Sequence, residues 1–487
     1  MKKKNLIVIG GIIIAIVVMA IVSMVSTDEI SHELGSALPL WSCIPFVGML
    51  LSIAIFPLVK PEWWERNQLR VAVIWALVFL IPFGFAYGGN NMVYNVYEMV
   101  LLDYLPFITL LFGLFVVSGG IALKGTLVGT TKTNIVLLLI GSLLASWVGT
   151  TGAAMLLIRP VIQANKWREK KAHIIIFFIF MVANIGGCLT PVGDPPLFLG
   201  FLRGVPFFWT FTHLLPLMLF NLAVLIVVFA IMDRIYVKKE IAAGNKPESM
   251  IENGVKEKLK IEGAHNLIYI LMIVGAVVLS GILTKVPGFF DPATGEATGI
   301  TIHHVLMPFT SIVEIVIILI AAFLSLKTTK REIREHNEFN FGAIQEVAKL
   351  FIGIFLTMIP ALAILKANGS SLGIDDAWHF FWFTGALSSF LDNAPTYLVF
   401  LTTAGAENFA NGVVTTVGTV APHVLMAISA GAVFMGANTY IGNAPNFMVK
   451  SIAEGSKIKM PSFFGYMKWS ICILIPLFIV DTLIFFI

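Results

Sequence analysis

Residues 184–200 read Asn-Ile-Gly-Gly-Cys-Leu-Thr-Pro-Val-Gly-Asp-Pro-Pro-Leu-Phe-Leu-Gly, within an apolar stretch that begins near His173. An apolar stretch of this length predicts a membrane helix. Three prolines lack backbone N–H groups and must interrupt that helix: Pro191, Pro195 and Pro196. The break falls around Asp194. Broken backbone at membrane depth is tolerated only inside protein or beside a watery cavity, and a carboxylate there indicates a functional site.

A second stretch, residues 436–449, repeats the pattern as Gly-Ala-Asn-Thr-Tyr-Ile-Gly-Asn-Ala-Pro-Asn-Phe-Met-Val. The two stretches match at these pairs: Gly187 with Gly436, Thr190 with Thr439, Gly193 with Gly442, Asp194 with Asn443, Pro196 with Pro445, and Phe198 with Phe447. Two interrupted apolar segments at corresponding places indicate the binding site of a transporter. The alternative is a pair of proline-kinked helices that only pack together.

The composition predicts an all-α polytopic membrane protein. Of the 487 residues, 58% are hydrophobic and 12% are charged, whereas soluble proteins carry about 25% charged residues. The three cysteines lie in apolar runs, so the sequence predicts neither a disulfide framework nor a zinc framework. We expect the lipid bilayer and a small ion or carboxylate as partners, and no nucleic acid.

A membrane helix needs about 20 apolar residues, and this rule predicts eleven spans. They are 6–26, 39–59, 70–88, 103–123, 173–202, 211–236, 265–284, 303–325, 344–366, 421–452 and 465–486. Two further apolar segments, 133–163 and 377–405, are interrupted in the middle. The basic residues fall on one side of the membrane only if both segments enter and leave on the same side. We therefore predict two re-entrant helical hairpins.

We predict an inner (plasma) membrane protein, and the unequal placement of basic residues between the loops predicts a cytoplasmic N-terminus and an outside C-terminus. We predict that residues 1–38 form a first transmembrane helix and outer loop and that the rest of the chain is divided as follows. Residues 39–236 form a first repeat, with hairpin 133–163 and broken helix 173–202. Residues 237–264 form a cytoplasmic linker. Residues 265–487 form a second repeat of inverted topology, with hairpin 377–405 and broken helix 421–452.

The two hairpin tips and the two helix breaks should meet near the middle of the membrane. The predicted binding residues are Asp194, Asp392, Asn393, Thr150, Thr151, Thr190, Asn443, Thr439, Gly193 and Gly442. Their oxygens suit sodium, with Asp194 and Asp392 as ligands of the transported ion. Either aspartate could instead cap the helix that follows it. No resident cofactor and no catalytic residues are predicted.

Three motifs resemble the ion transporter superfamily: Gly-Asp-Pro-Pro at 193–196, Leu-Asp-Asn-Ala-Pro at 391–395, and Gly-Asn-Ala-Pro at 442–445. That superfamily includes sodium/proton antiporters, arsenite permeases and citrate transporter-like carriers. The resemblance covers residues from about 39 to 486. It implies a homodimer in which a transport domain moves against a static scaffold. Dicarboxylate carriers have Ser-Asn-Thr at both tips, whereas the first tip here offers Gly149, Thr150 and Thr151, which argues against a dicarboxylate site.

Two functions remain after these considerations. The leading hypothesis is a sodium/proton antiporter working by alternating access, since a buried carboxylate can hold a proton or a cation in turn. The alternative is a sodium- or proton-coupled citrate or other carboxylate transporter. A channel and a membrane enzyme are disfavoured by the paired hairpins and by the lack of a nucleophile–base set. Glu314 is either a proton relay or a scaffold contact, and Arg159 either snorkels to the cytoplasmic surface or touches substrate.

Overall fold

The structure is a computed structural model that describes residues 19, 21–22, 25–26, 28–31, 34–247, 257–292, 294 and 296–487. Most of the predicted span 6–26 and part of the predicted linker lie outside the described residues. Throughout the described part the chain is helical, with only three short two-stranded sheets. The prediction of an all-α polytopic membrane protein is confirmed.

The first half of the chain contains a series of apolar helices joined by short loops. Their bounds are Leu34–Ala37, Ile44–Val59, Pro61–Tyr87, Gly89–Glu98, Leu105–Ser118, Thr131–Val148, Thr150–Ala164, Ala172–Met181, Pro195–Leu202 and Trp209–Ala242. Short 3₁₀ turns occupy Leu40–Cys43 and Ile185–Gly187, and Met99–Tyr104 is π-helical. The one strand of this half, Ala122–Lys124, pairs with Lys260–Glu262.

The second half has a similar order of elements. Its helices are Asn266–Leu283, Phe309–Thr328, Arg331–His336, Gly342–Asn368, Ala377–Ser388, Asn393–Glu407, Pro422–Met435, Ala444–Gly455 and Phe463–Asp481. The 3₁₀ turns are Gly369–Leu372 and Gly436–Asn438, and Thr482–Phe486 is π-helical. Two antiparallel strand pairs lie in loops: Gly299–Ile302 with Val305–Pro308, and Val413–Thr415 with Gly418–Val420.

Nine helices of the described chain are long and apolar enough to cross a membrane. Eight coincide with predicted spans, and the ninth, Thr131–Val148, is the first arm of the predicted hairpin 133–163. The predicted broken helices appear as the shorter apolar helices Ala172–Gly187 and Pro422–Asn438, each followed by a break and a second helix. The eleventh predicted span, residues 6–26, lies mostly outside the described residues.

Three predicted helix starts were wrong. The span predicted from residue 70 begins at Pro61. The span predicted from residue 103 already begins at Gly89, because the polar first turns of that helix hide it from a hydropathy count. The span predicted from residue 303 begins at Phe309. His303 and His304 instead occupy the turn between two strands, with φ of 44° and 63°. Backbone of that left-handed kind cannot continue a right-handed helix.

The helices are arranged in two bundles, and each bundle takes members from both halves of the chain. The helices between residues 44 and 118 pack with those between 266 and 368, and we call this group the first bundle. The helices between 131 and 242 pack with those between 377 and 486, and these form the second bundle. The bundles meet where Asn393–Glu407 contacts Gly342–Asn368 and where Thr150–Ala164 contacts Leu105–Ser118.

Loop contacts place both ends of each predicted hairpin together. For the first hairpin, the Gly129 N–H donates to the Ala164 carbonyl over 2.8 Å, so its entry and exit are adjacent. Thr403, near the exit of the second hairpin, packs against Gly369, just before its entry. Each pair of arms therefore turns back on itself. This is the geometry expected of a re-entrant segment, while the side of the membrane it faces stays a prediction.

A buried ion pair joins two segments of the second bundle near the entry of the first hairpin. The Arg168 guanidinium lies 2.5 Å from Asp233, and neither side chain is exposed to solvent. Asp233 also accepts from Thr131 over 2.6 Å and contacts His173 at 2.8 Å. The other terminal nitrogen of the Arg168 guanidinium, Nη2, donates to the Gly129 carbonyl over 2.5 Å. Three segments that are distant in sequence, residues 129–131, residues 168–173 and the helix that carries Asp233, are thus held together at one carboxylate.

We expect Asp233→Asn to destabilise the protein by about 3–5 kcal/mol, because it leaves the Arg168 charge buried without its partner. The measurement is the free energy of unfolding in detergent by denaturant titration. Glu335→Gln is the matched control. It removes the exposed Arg331–Glu335 pair at 2.6 Å, which should cost about 0.5 kcal/mol or less. Equal losses in the two variants would contradict the role given to Asp233.

Candidate functional site

Four helices begin at the centre of the second bundle. The first hairpin turns at Gly149, whose φ of 81° favours glycine, and its second arm begins at Thr150. The second hairpin resumes at Asn393. After the two breaks, helices begin at Pro195 and Ala444, where proline at or next to the first position suits a helix start. Both hairpin tips and both breaks therefore supply a helix N-terminus to one region.

The Asp194 carboxylate joins these four segments. One of its oxygens, Oδ1, accepts from the Thr150 hydroxyl over 2.8 Å and from the Asn443 amide over 3.2 Å. Its other oxygen, Oδ2, accepts from the Asn393 amide over 2.6 Å. Asp194 is 1% exposed, and its three partners are also buried. Four residues predicted for the site are thus brought into direct contact.

The charge of Asp194 is balanced in an unusual way for a buried carboxylate. All three of its side-chain donors are neutral, and the ion pairs found among the described residues do not include it. The N-terminus of a helix carries about half a positive charge, and the helices that contact Asp194 present four such ends. The site is therefore built from dipoles rather than from basic side chains, and it favours one negative charge at its centre.

Asp194 does not serve merely as a helix cap. It occupies the N-cap position before Pro195, but its side chain makes no capping hydrogen bond and turns to the other three segments instead. Asp392 behaves in the opposite way. Its carboxylate accepts the Ala394 N–H over 3.1 Å, which is a capping bond within its own helix, and it is only partly buried. The two aspartates predicted as equivalent ligands therefore differ in structure.

Threonine and serine side chains hold the tips against the breaks in two matching sets. Thr190 donates to the Ser146 carbonyl, and Thr439 donates to the Ser389 carbonyl over 2.5 Å. The Ser146 hydroxyl donates to Gly186 over 2.6 Å, and the Ser389 hydroxyl to Met435 over 3.2 Å. Predicted residues Thr190 and Thr439 therefore position the backbone next to Asp194 rather than contacting its carboxylate.

The predicted glycines allow close approach of the backbone. The Gly193 carbonyl accepts from the Thr150 N–H over 2.8 Å, and a Cβ on Gly193 would lie 2.2 Å from the Gly187 carbonyl oxygen. A Cβ on Gly442 would lie 2.6 Å from the carbonyl oxygens of Gly436 and Ser388. Any larger residue would push tip and break apart. Thr151, by contrast, makes no side-chain hydrogen bond within the described structure.

Two asparagines of this centre were missed in the sequence. The Asn184 amide donates to Asn446 over 2.7 Å, and Asn446 donates to the Gly436 and Thr439 carbonyls over 2.8 and 3.0 Å. Asn443 in turn donates to Asn184 over 3.3 Å. Both residues stand inside the two quoted stretches, but the matching of the stretches sets each opposite an apolar residue. The signal that the sequence offered for them was an amide side chain within each interrupted apolar stretch.

Two other charged residues lie outside this centre. Glu314 is buried in the first bundle, where it accepts from the Ser280 hydroxyl over 2.5 Å. Arg159 pairs with Glu338 at 2.7 Å, near the exit of the first hairpin, about 12–14 Å along the helix from its tip. Arg159 therefore does not contribute to the Asp194 site. No group of three His, Cys, Asp or Glu side chains arranged to hold a metal ion occurs in the part of the chain that the structure describes.

A comparison with known protein families gives a match that extends over nearly the whole chain. A family described as "Putative citrate transport" matches residues 35–486. The chain belongs to this family. The resemblance to citrate transporter-like carriers of the ion transporter superfamily is thereby confirmed, and the protein is a multi-pass secondary transporter of the membrane. A search of curated proteins gave no match.

We expect Thr150→Val to lower the stability of the folded protein by about 1.5–3 kcal/mol, the range for a hydrogen bond to a charged group. The variant keeps the shape of the side chain but removes one donor from the ionised Asp194. The measurement is unfolding in detergent at alkaline pH. Thr151→Val, at the next position, is the matched control and should change stability by about 0.5 kcal/mol or less. Similar losses in both variants would contradict the contact.

Proposed function

We propose that the protein is a secondary transporter that moves a carboxylate substrate of the citrate type together with protons, and that Asp194 is the proton-binding residue. The observation that carries this proposal is the convergence of four helix N-termini on one buried carboxylate. Helix N-termini bind anions, since their free N–H groups and dipoles point at the ligand. A site built this way suits an acidic substrate, in keeping with the description of the family.

Coupling follows from the charge at the centre. While Asp194 is ionised, it is itself the anion that the four helix ends and the three neutral donors stabilise. A substrate carboxylate would then be repelled by it. When Asp194 takes up a proton, its charge is lost, and the same helix ends are left to attract an anion. Proton and substrate are therefore favoured to load together and to leave together.

The leading hypothesis from the sequence was sodium/proton antiport, and it becomes the second proposal. Its main argument is the repulsion of an anion by two carboxylates, of which Asp392 caps its own helix and is partly exposed. One observation still favours a cation. The Asn393 side-chain oxygen is buried next to Asp194 without a hydrogen-bond partner. Together with a carboxylate oxygen it offers hard ligands of the kind that sodium prefers.

Both proposals share one mechanical picture. We propose that the second bundle, which carries the site, moves against the first bundle to give alternating access. We also propose two repeats of inverted topology, a homodimer, and an inner-membrane location with a cytoplasmic N-terminus. Protons, and sodium in the second proposal, are transported or coupling ions rather than resident cofactors. The matched contacts of Ser146 and Ser389 support the repeat.

Proteoliposomes with an internal pH dye separate the two functions. An inward proton gradient should drive uptake of labelled citrate and acidify the interior, because proton and substrate enter together. Sodium alone should leave the internal pH unchanged. Alkalinisation of an acid interior by a sodium pulse, without citrate uptake, would instead establish the antiport and overturn the first proposal.

We expect Asp194→Asn to abolish stimulation of citrate uptake by the proton gradient, a coupling of about 5- to 150-fold in typical linked systems. Counterflow of citrate between the two sides should persist, since the amide is neutral like the protonated carboxylate. Asp392→Asn is the matched control. It should retain gradient-driven uptake, because asparagine caps a helix as well as aspartate does. Loss of coupling in Asp392→Asn but not in Asp194→Asn would reverse the assignment.

A further inference from the structure

An apolar cleft of about 540 Å³ lies between the two bundles. Asp194 is not among its lining residues, although the cleft extends to Val148 and Gly152 beside the tip of the first hairpin. One wall is the first hairpin, with Val136, Ile140 and Leu144. The opposite wall includes Ile270 of the first bundle and Ser118. Val136 and Ile140 are each 45% exposed, so this wall is open to the surroundings. A molecule seated in the cleft would touch both bundles at once.

The strand in the linker forms the remaining side of the cleft with its apolar residues. Along residues 258–262 apolar and charged side chains alternate, and the apolar ones, Leu259 and Ile261, line the cleft. They are 55% and 52% exposed, respectively. Alternate residues of a strand point to opposite faces, so Lys258, Lys260 and Glu262 face away. A polar connecting segment thus presents an uncovered apolar face to the cleft.

A smaller polar pocket of about 180 Å³ continues from the cleft, and the two share Leu123 and Leu127. Its lining includes Thr126, Gln163 and Lys166, while Lys132 lines the cleft itself. The two glutamates nearest on the strand side are Glu257, which is exposed, and Glu262, which already pairs with Lys124 at 2.8 Å. Lys132 and Lys166 are exposed and form no ion pair within the described chain. The rim therefore favours a negative charge.

We propose that this cleft and the adjoining polar pocket bind one phospholipid with an anionic headgroup. An acyl chain occupies the apolar cleft, and the phosphate lies between Lys132 and Lys166. The amphipathic lining argues for a lipid, because a larger apolar volume is joined to a smaller polar one with basic side chains. The loops involved are those predicted to face the cytoplasm, where anionic lipids attract lysines near the surface.

A lipid bound in the cleft would affect the movement of one bundle relative to the other. It would fill space between the first hairpin, which carries Thr150, and Asn266–Leu283 of the first bundle. Displacement of one bundle along the other would change the shape of the cleft. Bound lipid therefore favours the arrangement of bundles seen in this structure. The binding itself does not depend on which solute the protein transports.

The test is native mass spectrometry of the full chain in detergent, with phosphatidylglycerol and phosphatidylcholine of identical acyl chains as probes. We expect phosphatidylglycerol to be retained more tightly. Lys132→Gln should weaken its binding about fivefold, the effect of one lysine near a charged headgroup, and Lys132→Gln with Lys166→Gln about 25-fold. Ile140→Trp should displace the lipid by filling the cleft. The controls Lys239→Gln and Ile231→Trp, on the exposed side of Trp209–Ala242, should bind as the wild type does.

A second measurement locates the lipid. Phosphatidylglycerol with a photoreactive diazirine in its acyl chain should label peptides from residues 131–157 and 257–270. Equal retention of the two lipids, or equal labelling of residues 209–242, would overturn the proposal. So would cross-links from a cleft residue to a second copy of the chain in place of lipid label, since the cleft would then be a protomer interface. Unchanged binding in both Lys132→Gln and Ile140→Trp would overturn it too.

Discussion

A carboxylate removed from water must be given hydrogen bonds or a counter-charge, because its desolvation is otherwise too costly. Asp194 receives three neutral donors, and each comes from a different segment of the chain. The donors can reach it only if both hairpins turn and both helices break at the same depth. The hydrogen bonds of this one side chain therefore fix the relative positions of the four segments that make the centre of the second bundle.

The helix breaks place helix N-termini inside the membrane. An uninterrupted helix satisfies its own backbone groups and offers no N-terminus inside the membrane. Proline and glycine at the breaks free those groups, and the surrounding residues then supply partners. Ser146 and Ser389 each bond the backbone of a break, and Thr190 and Thr439 return the bonds to the tips. The irregular backbone of the first break, residues 182–194, is thus enclosed by protein, whereas the second tip and break are partly exposed near Asp392 and Ile441.

The contacts between the two bundles differ from those inside the site. Polar links across the boundary stand towards its ends: Arg203 pairs with Asp103 at 2.9 Å, and Arg159 with Glu338 at 2.7 Å. Arg159 and Arg203 belong to the second bundle, and their partners to the first. Glu338 is exposed, so its pair with Arg159 contributes little stability, whereas the pair of Arg203 with Asp103 is mostly buried. The apolar surfaces of the boundary have no directional bonds that would resist sliding. The boundary therefore suits relative movement better than the interior of either bundle does.

Much of this could be predicted from local sequence, and the reasons are specific. The length of apolar stretches predicted the membrane spans, and the prolines near Asp194 and Asn443 predicted the helix breaks. Spans and breaks are predictable because each depends on residues that are neighbours in the sequence. Where the local signal was weak the prediction was wrong. The polar turns of Gly89–Glu98 hid a helix start, and the strands around His303 and His304 were not foreseen.

The sequence by itself determined the membrane class, the helix breaks and the residue types gathered near them. Only the tertiary structure decided which of those residues meet. Asp194 and Asp392 look alike in the sequence, yet one is bonded by three other segments and the other caps its own helix. The reason is that a bond such as that between Asn443 and Asp194, 249 residues apart, depends on how whole helices pack, and spacing along the chain does not encode that distance.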